Sequence, residues 1–130
     1  LGASGVQMAT RFVLSEECDV ADEYKQIYLN AKEEDVIIIK SPVGMPGRAL
    51  RNDFIEMVEK DADDLEPEEC DACLKNCSGD YCILQALTNA KNGLVQQGVV
   101  FVGKNVFKIK KILPVSAIFD EILAEYAAVQ

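Results

Sequence analysis

Histidine is absent from all 130 residues. The side chain that most often serves as a general base is therefore missing, and acid–base chemistry must come from other groups or from outside the chain. Basic residues are also scarce: 13 Lys and Arg stand against 22 Asp and Glu, for a net charge of −9. So acidic a chain gains nothing from a polyanion, which argues against nucleic acid and anionic membranes as partners. No apolar run nears the roughly 18 residues of a membrane span. No basic leader or apolar signal core precedes the segment Gly2–Phe12, which reads as an element in mid-chain. The expectation is a truncated, soluble polypeptide of the cytoplasm. Internal repeats are lacking as well.

About half of the chain is apolar (49 %), enough for a real core in one domain. The acids are unevenly spread. Glu59 to Asp71 holds eight carboxylates, with Lys60 the one base among them. This reads as a solvated loop; calcium is the sharper alternative, but the regular ligand spacing of a known calcium loop is missing. The five cysteines are an odd number, and four crowd between Cys70 and Cys82. That crowding suits a reducing cytoplasm better than a spread disulfide scaffold.

Periodicity supplies a coarse map. Val6 to Phe12 reads as a strand. Asp19 or Asp22 caps a helix to about Lys32, whose inner face is Tyr24, Ile27, Tyr28 and Ala31. Val36 to Ile39, four β-branched residues, reads as a buried strand. Lys40 to Gly47, with two prolines and two glycines, is a loop. Asp53 to Lys60 is helical with Phe54, Met57 and Val58 inward. Asp80 caps a helix to Asn92 with Ile83, Ala86, Leu87 and Ala90 as its apolar face and Asn92-Gly93 as its stop. Val99 to Val102 is a strand candidate, and Val106 to Leu113 alternates in part. Pro114 and Ser116 open a last helix striped by Ile118, Phe119, Ile122, Leu123 and Tyr126.

Three constellations carry possible chemistry. In Gly5-Val-Gln-Met-Ala-Thr-Arg-Phe12, small residues after a strand can bare successive backbone N–H groups to a phosphate; an ordinary buried strand is the plainer reading. In Ser41 to Asn52, Arg48 and Arg51 lie beside glycines and can grip a phosphate or carboxylate, unless they are simply exposed on a turn. Cys70, Cys73, Cys77 and Cys82 can wrap Zn²⁺ or an iron–sulfur cluster, although the spacing matches neither the paired zinc-ribbon knuckles nor the ferredoxin run. Free thiols and one or two disulfides are the alternatives. Cys18 reads as a packed thiol.

The segments GASGVQMATRF, KSPVGMPGRALRN and GVVFVGKN, in this order, resemble the C-terminal part of the nitronate monooxygenase family, formerly the 2-nitropropane dioxygenases. The flavin-dependent enoyl-acyl-carrier-protein reductases share that scaffold. The resemblance implies an α/β fold, a C-terminal fragment of a TIM (β/α)8 barrel, since a whole barrel takes about 250 residues. It implies FMN at the barrel mouth, with Gln7, Met8, Ala9 and Thr10 in the last phosphate-binding turn. The family has glycine where this chain has Ala9, so the turn is expected to differ slightly. The family's catalytic histidine has no counterpart here, and no catalytic residue is assigned to this chain.

The organisation expected is a last barrel strand and phosphate turn over 1–14, an inserted smaller α+β or helical subdomain with the cysteine cluster over 15–103, and a return segment and last barrel helix over 104–130. The implied activity is oxidation of alkyl nitronates with O2, or alternatively NAD(P)H-dependent reduction of an enoyl thioester. A non-catalytic, metal-stabilised interaction module is the rival from another class. Expected partners are the missing N-terminal barrel portion and a small-molecule substrate. A lone barrel strand with open edges also invites a homo-oligomer.

Overall fold

A computed structural model describes residues 2–60, 65, 70 and 72–129. In chain order its elements are α1 (Thr10–Val13), α2 (Asp22–Leu29), β1 (Val36–Ile39), β2 (Gly47–Leu50), α3 (Asp53–Glu59), α4 (Ile83–Lys91) and α5 (Val115–Ala128). Short 3₁₀ turns occupy Glu33–Asp35, Val95–Gln97 and Val106–Lys108. Among the described residues no helix is long and apolar enough to cross a membrane.

The strand expected over Val6 to Phe12 does not form. Residues 2–9 have no regular structure, and α1 begins at Thr10. A strand needs a neighbour for its ladder, and no described strand lies beside this stretch. Val6, 79 % exposed, marks how little covers it.

β1 forms where four β-branched residues ask for it, yet it is not fully buried: Ile38 is 60 % exposed. Its partner β2, Gly-Arg-Ala-Leu, begins at the last residue of the expected loop Lys40 to Gly47 and continues through the Ser41 to Asn52 segment whose plainer reading is a turn. β2 has weak intrinsic strand preference; pairing makes it a strand. The two run antiparallel, with Ile39 opposite Gly47 and Ile38 opposite Arg48. On its other side β2 meets Val99–Val102. Leu50 N–H donates to Val100 O at 3.0 Å, and Val102 N–H to Arg48 O at 2.9 Å. Gly47 permits this approach, because a Cβ there would lie 2.3 Å from the Phe101 ring.

Two apolar clusters make the core. Leu14, Tyr28, Ala31, Leu50, Ala90, Val100, Val102 and Val106 form the first. Ile39, Ala49, Phe54, Ile55, Tyr81, Ile83, Ala86 and Val99 form the second. Each large buried side chain contributes about 1.5–3 kcal/mol relative to leaving it exposed. Tyr28 is buried with its hydroxyl donating to Phe101 O at 2.6 Å, so the polar tip is satisfied. Burial pushes the phenols of Tyr24 and Tyr28 above their ordinary value.

Helix starts differ from the sequence expectation in their capping. Asp22 is the first residue of α2 rather than its cap, because Ala21 holds that place. Cys82, not Asp80, precedes α4; Asp80 accepts from the Ser78 hydroxyl instead. α5 starts after Pro114, and its first N–H, on Val115, donates to both Glu17 carboxylate oxygens at 3.0 Å. That cap comes from 98 residues away, beyond the reach of any local motif. Asn52 does cap α3, accepting from Ile55 N–H.

Candidate functional site

The turn Gln7–Thr10 sits at the entrance of α1. Gln7, Met8 and Ala9 are exposed and Thr10 is half-buried. Ala9 has φ −123° and ψ −54°, so the position where the family pattern has glycine needs no left-handed backbone here. The Ala9 carbonyl accepts from Phe12 and Val13 N–H. The N–H groups of Ala9, Thr10 and Arg11 donate to no acceptor among the described residues. Backbone donors without an acceptor at small residues such as Ala9 and Thr10 are the chemistry a phosphate monoester takes.

Behind the turn, α1 is fastened to the end of the chain. Gly103 N–H donates to Thr10 Oγ1 at 2.7 Å. Glu16 N–H donates to Leu113 O and Leu113 N–H to Leu14 O, a short parallel pairing around Ser15 and Leu113. The Arg11 guanidinium reaches Glu121 on α5 at 3.6 Å, and Phe12 packs on Phe119 with ring centroids 5.5 Å apart. Lys25, buried, donates to Ser15 O at 2.8 Å and closes the junction from the α2 side. Hydrogen bonding to Lys111 holds the Glu121 carboxyl below its ordinary value, with Arg11 adding to the effect.

Arg48 is exposed on β2 opposite Ile38. Arg51 lies past the strand and pairs with Glu59 at 3.2 Å. Arg51 is already paired, whereas among the described residues the Arg48 guanidinium meets no carboxylate, so the two do not share one partner there. Arg48 is tied by its backbone to the phosphate-turn candidate. Val102 N–H donates to Arg48 O, and the next N–H, of Gly103, donates to Thr10 Oγ1. The sequence marks these three segments separately; consecutive peptide groups join them.

The cysteines do not converge. Cys70, Cys73 and Cys77 are exposed, Cys82 is half-buried, and all are free thiols. Among the described residues no three His, Cys, Asp or Glu side chains lie close enough to share a metal. The expected Zn or Fe–S cage is thus not supported. Cys82 is held at the start of α4, whereas the others lie in a largely exposed run with left-handed backbone at Ala72 (φ +48°) and Gly79 (φ +82°). The interaction-module reading loses the metal on which it stood. Glu68, Glu69 and Asp71, which flank the cluster, and most of the acidic stretch lie outside the described residues.

Sequence reasoning misses Tyr81, the one aromatic beside these cysteines. It is buried edge-on against Phe54 at 5.3 Å, and burial raises its phenol above the ordinary value. Its hydroxyl and that of Ser41 are buried side chains with no completed hydrogen bond among the described residues.

Known proteins share much of this chain. A family model described as nitronate monooxygenase matches residues 1–125. A probable nitronate monooxygenase of Staphylococcus saprophyticus is 33 % identical over 90 residues, 69 % of this chain and 22 % of that protein. A (3aS,4S,5R,7aS)-5-hydroxy-7a-methyl-1-oxo-octahydro-1H-indene-4-carboxyl-CoA dehydrogenase of Mycobacterium tuberculosis is 40 % identical over 58 residues, 45 % of this chain and 16 % of that protein. The structure of FabK from Thermotoga maritima superposes with a TM-score of 0.78 at 28 % identity, covering 98 % of this chain and 38 % of that one. This chain therefore spans little more than a third of that FabK chain and is similar in fold to a portion of it.

Proposed function

The chain belongs to the nitronate monooxygenase family, and we propose that it supplies one part of an FMN-dependent oxidoreductase that oxidises alkyl nitronates with O2. The family match over residues 1–125 carries this reading. In it, residues 1–14 hold the last barrel strand and phosphate turn, 15–103 an insertion, and 104–130 the return segment and last barrel helix. The extended strand of that scheme needs neighbours from the rest of a barrel, and the exposure of Val6 and Met8 agrees with such a need.

Bound FMN would supply the redox chemistry, accepting electrons from the nitronate and passing them to O2. The residues of this chain bind and position. The open N–H groups at Ala9 and Thr10 suit the flavin phosphate, with Gln7 and Met8 at the same rim. Arg48 is the better placed of the two arginines to meet an anionic substrate, since Arg51 is held by Glu59. The chain offers no histidine for proton transfer, so that group comes from elsewhere in the protein. The 130 residues alone are expected to be inactive and to bind FMN weakly.

A second reading, NAD(P)H-dependent reduction of an enoyl thioester, is favoured by the FabK superposition. The two separate on the protein expressed from its whole open reading frame. Oxygen uptake and nitrite release on adding an alkyl nitronate support the first. NADH oxidation dependent on an enoyl thioester supports the second, and a colourless protein that takes up no flavin sinks both. Arg48→Ala in the active protein is expected to raise KM for the anionic substrate by about tenfold, the loss of one charge-assisted contact. An unchanged KM would remove Arg48 from the site.

A further inference from the structure

Gly103 directly follows Val99–Val102, the stretch that pairs with β2, and its N–H donates to Thr10 Oγ1 instead of continuing that pairing. The contact spans 93 residues of sequence. It also demands glycine. A Cβ on residue 103 would lie 2.9 Å from Thr10 Oγ1 and 3.5 Å from Thr10 Cβ. The demand arises from close approach, not backbone conformation, because Gly103 is not among the residues with positive φ. A threonine hydroxyl can accept this bond while keeping its own proton to donate. Threonine is stiff at χ1, so fixing its oxygen also fixes the backbone to which it is attached.

We propose that Gly103 is a positioning residue for the Gln7–Thr10 turn: its N–H, latched on the Thr10 hydroxyl, sets the direction in which that turn presents its N–H groups to a phosphate. The proposal rests on the FMN reading above and goes beyond it. It makes Thr10 serve through its side chain as well as its backbone, and it assigns a role to a residue outside the turn. Because Val102 is bonded to the Arg48 carbonyl, the latch also sets the phosphate turn and the arginine strand in one register.

The test uses the product of the whole open reading frame, with FMN affinity read from flavin fluorescence and thermal stability read without flavin. Thr10→Val keeps the shape and removes the acceptor. Gly103→Ala crowds it, and Thr10→Ser restores it. The first two are expected to weaken FMN binding about fivefold, the worth of one net hydrogen bond, while Thr10→Ser stays near wild type. Ile55→Val, a mild change in the second core cluster, serves as the control: it lowers stability comparably and should leave FMN affinity unchanged. Wild-type affinity in both Thr10→Val and Gly103→Ala would overturn the latch and leave the FMN reading standing. A wild-type protein that binds no FMN would overturn both. If the variants do not fold, amide exchange in the wild type decides. Protection of the Gly103 amide that deepens with FMN supports the latch, and exchange at the rate of a free amide overturns it.

Discussion

α4 and α5 announce themselves in the same way, by apolar residues at helical spacing, and end in different surroundings. α4 buries Ile83, Ala86 and Ala90. α5, half as long again, buries Ile118 alone, while Phe119, Leu123 and Tyr126 stay 52–62 % exposed. The difference comes from the chain segments packed against each helix. After α4 the chain turns at Gly93 (φ +94°) and lays Gly98 against the helix so closely that Val99 N–H donates to Ala86 O. Asn52 fastens this strap from below, donating to the carbonyls of Val95 and Gly98. α5 has no such strap among the described residues. It is held at its first turns, by Glu17, Arg11 and Phe12, and its outer stripe meets no described partner. A periodic stripe reports that a helix has something to bury; whether the partner lies in the same polypeptide is decided elsewhere.

Substitutions can break this contrast or sharpen it. The largest effect is expected for Gly98→Ala. Its Cβ would sit 2.2 Å from Ala86 O and 2.7 Å from Ala90 N, both backbone atoms that cannot swing aside. A loss of about 3 kcal/mol or more should appear as a lowered urea midpoint. Ile118→Ala should cost about 2–4 kcal/mol by the same measurement, whereas Leu123→Ala on the exposed stripe should stay within about 0.5 kcal/mol. Equal losses at the two positions would show that the α5 stripe is covered after all. Asn52→Ala removes the α3 cap and orphans two carbonyls, for about 2 kcal/mol.

The two helices should also differ in pH response, the smallest effect. Tyr81, ahead of α4, has a raised pKa, so its neutral form is favoured by folding. That contribution is complete below the ordinary tyrosine value of 10.0 and fades as pH rises past it. Glu121 on α5 has a lowered pKa, so its contribution is present above the ordinary 4.5 and is lost as pH falls below it. Tyr81→Phe should flatten the alkaline limb of a stability–pH curve, and Glu121→Gln the acid limb. Because Glu121 is exposed, its effect should also shrink with added salt.

Legibility in the sequence tracks the range of the interaction. β1, α3, α4 and α5 are readable, because β-branched runs and apolar spacing act within one element. Tyr28, on the inner face expected for α2, is buried, and so is Ala31, although the helix ends at Leu29, short of the expected Lys32. β2 is not readable: Gly47 to Leu50 becomes a strand through its neighbours on both sides. The cap from Glu17, the buried Lys25 and the Thr10–Gly103 bond join residues too far apart for any local pattern. The segment at Val6 misleads for the converse reason, since a strand-like composition without a ladder stays irregular. The cysteine spacing resembles a ligand set because spacing carries no information on where the sulfurs point. The resemblance of three separated segments carries more about family than any single motif does.

β1 has β2 on one side and no described strand on the other. Three consecutive isoleucines lie along that open border, and Ile38 already faces water. A border of this kind is a template on which a second molecule can add a strand. Concentrated solutions should accordingly seed fibrillar aggregates from this ribbon first, and a lysine in place of Ile38 should delay their onset without disturbing the core beneath.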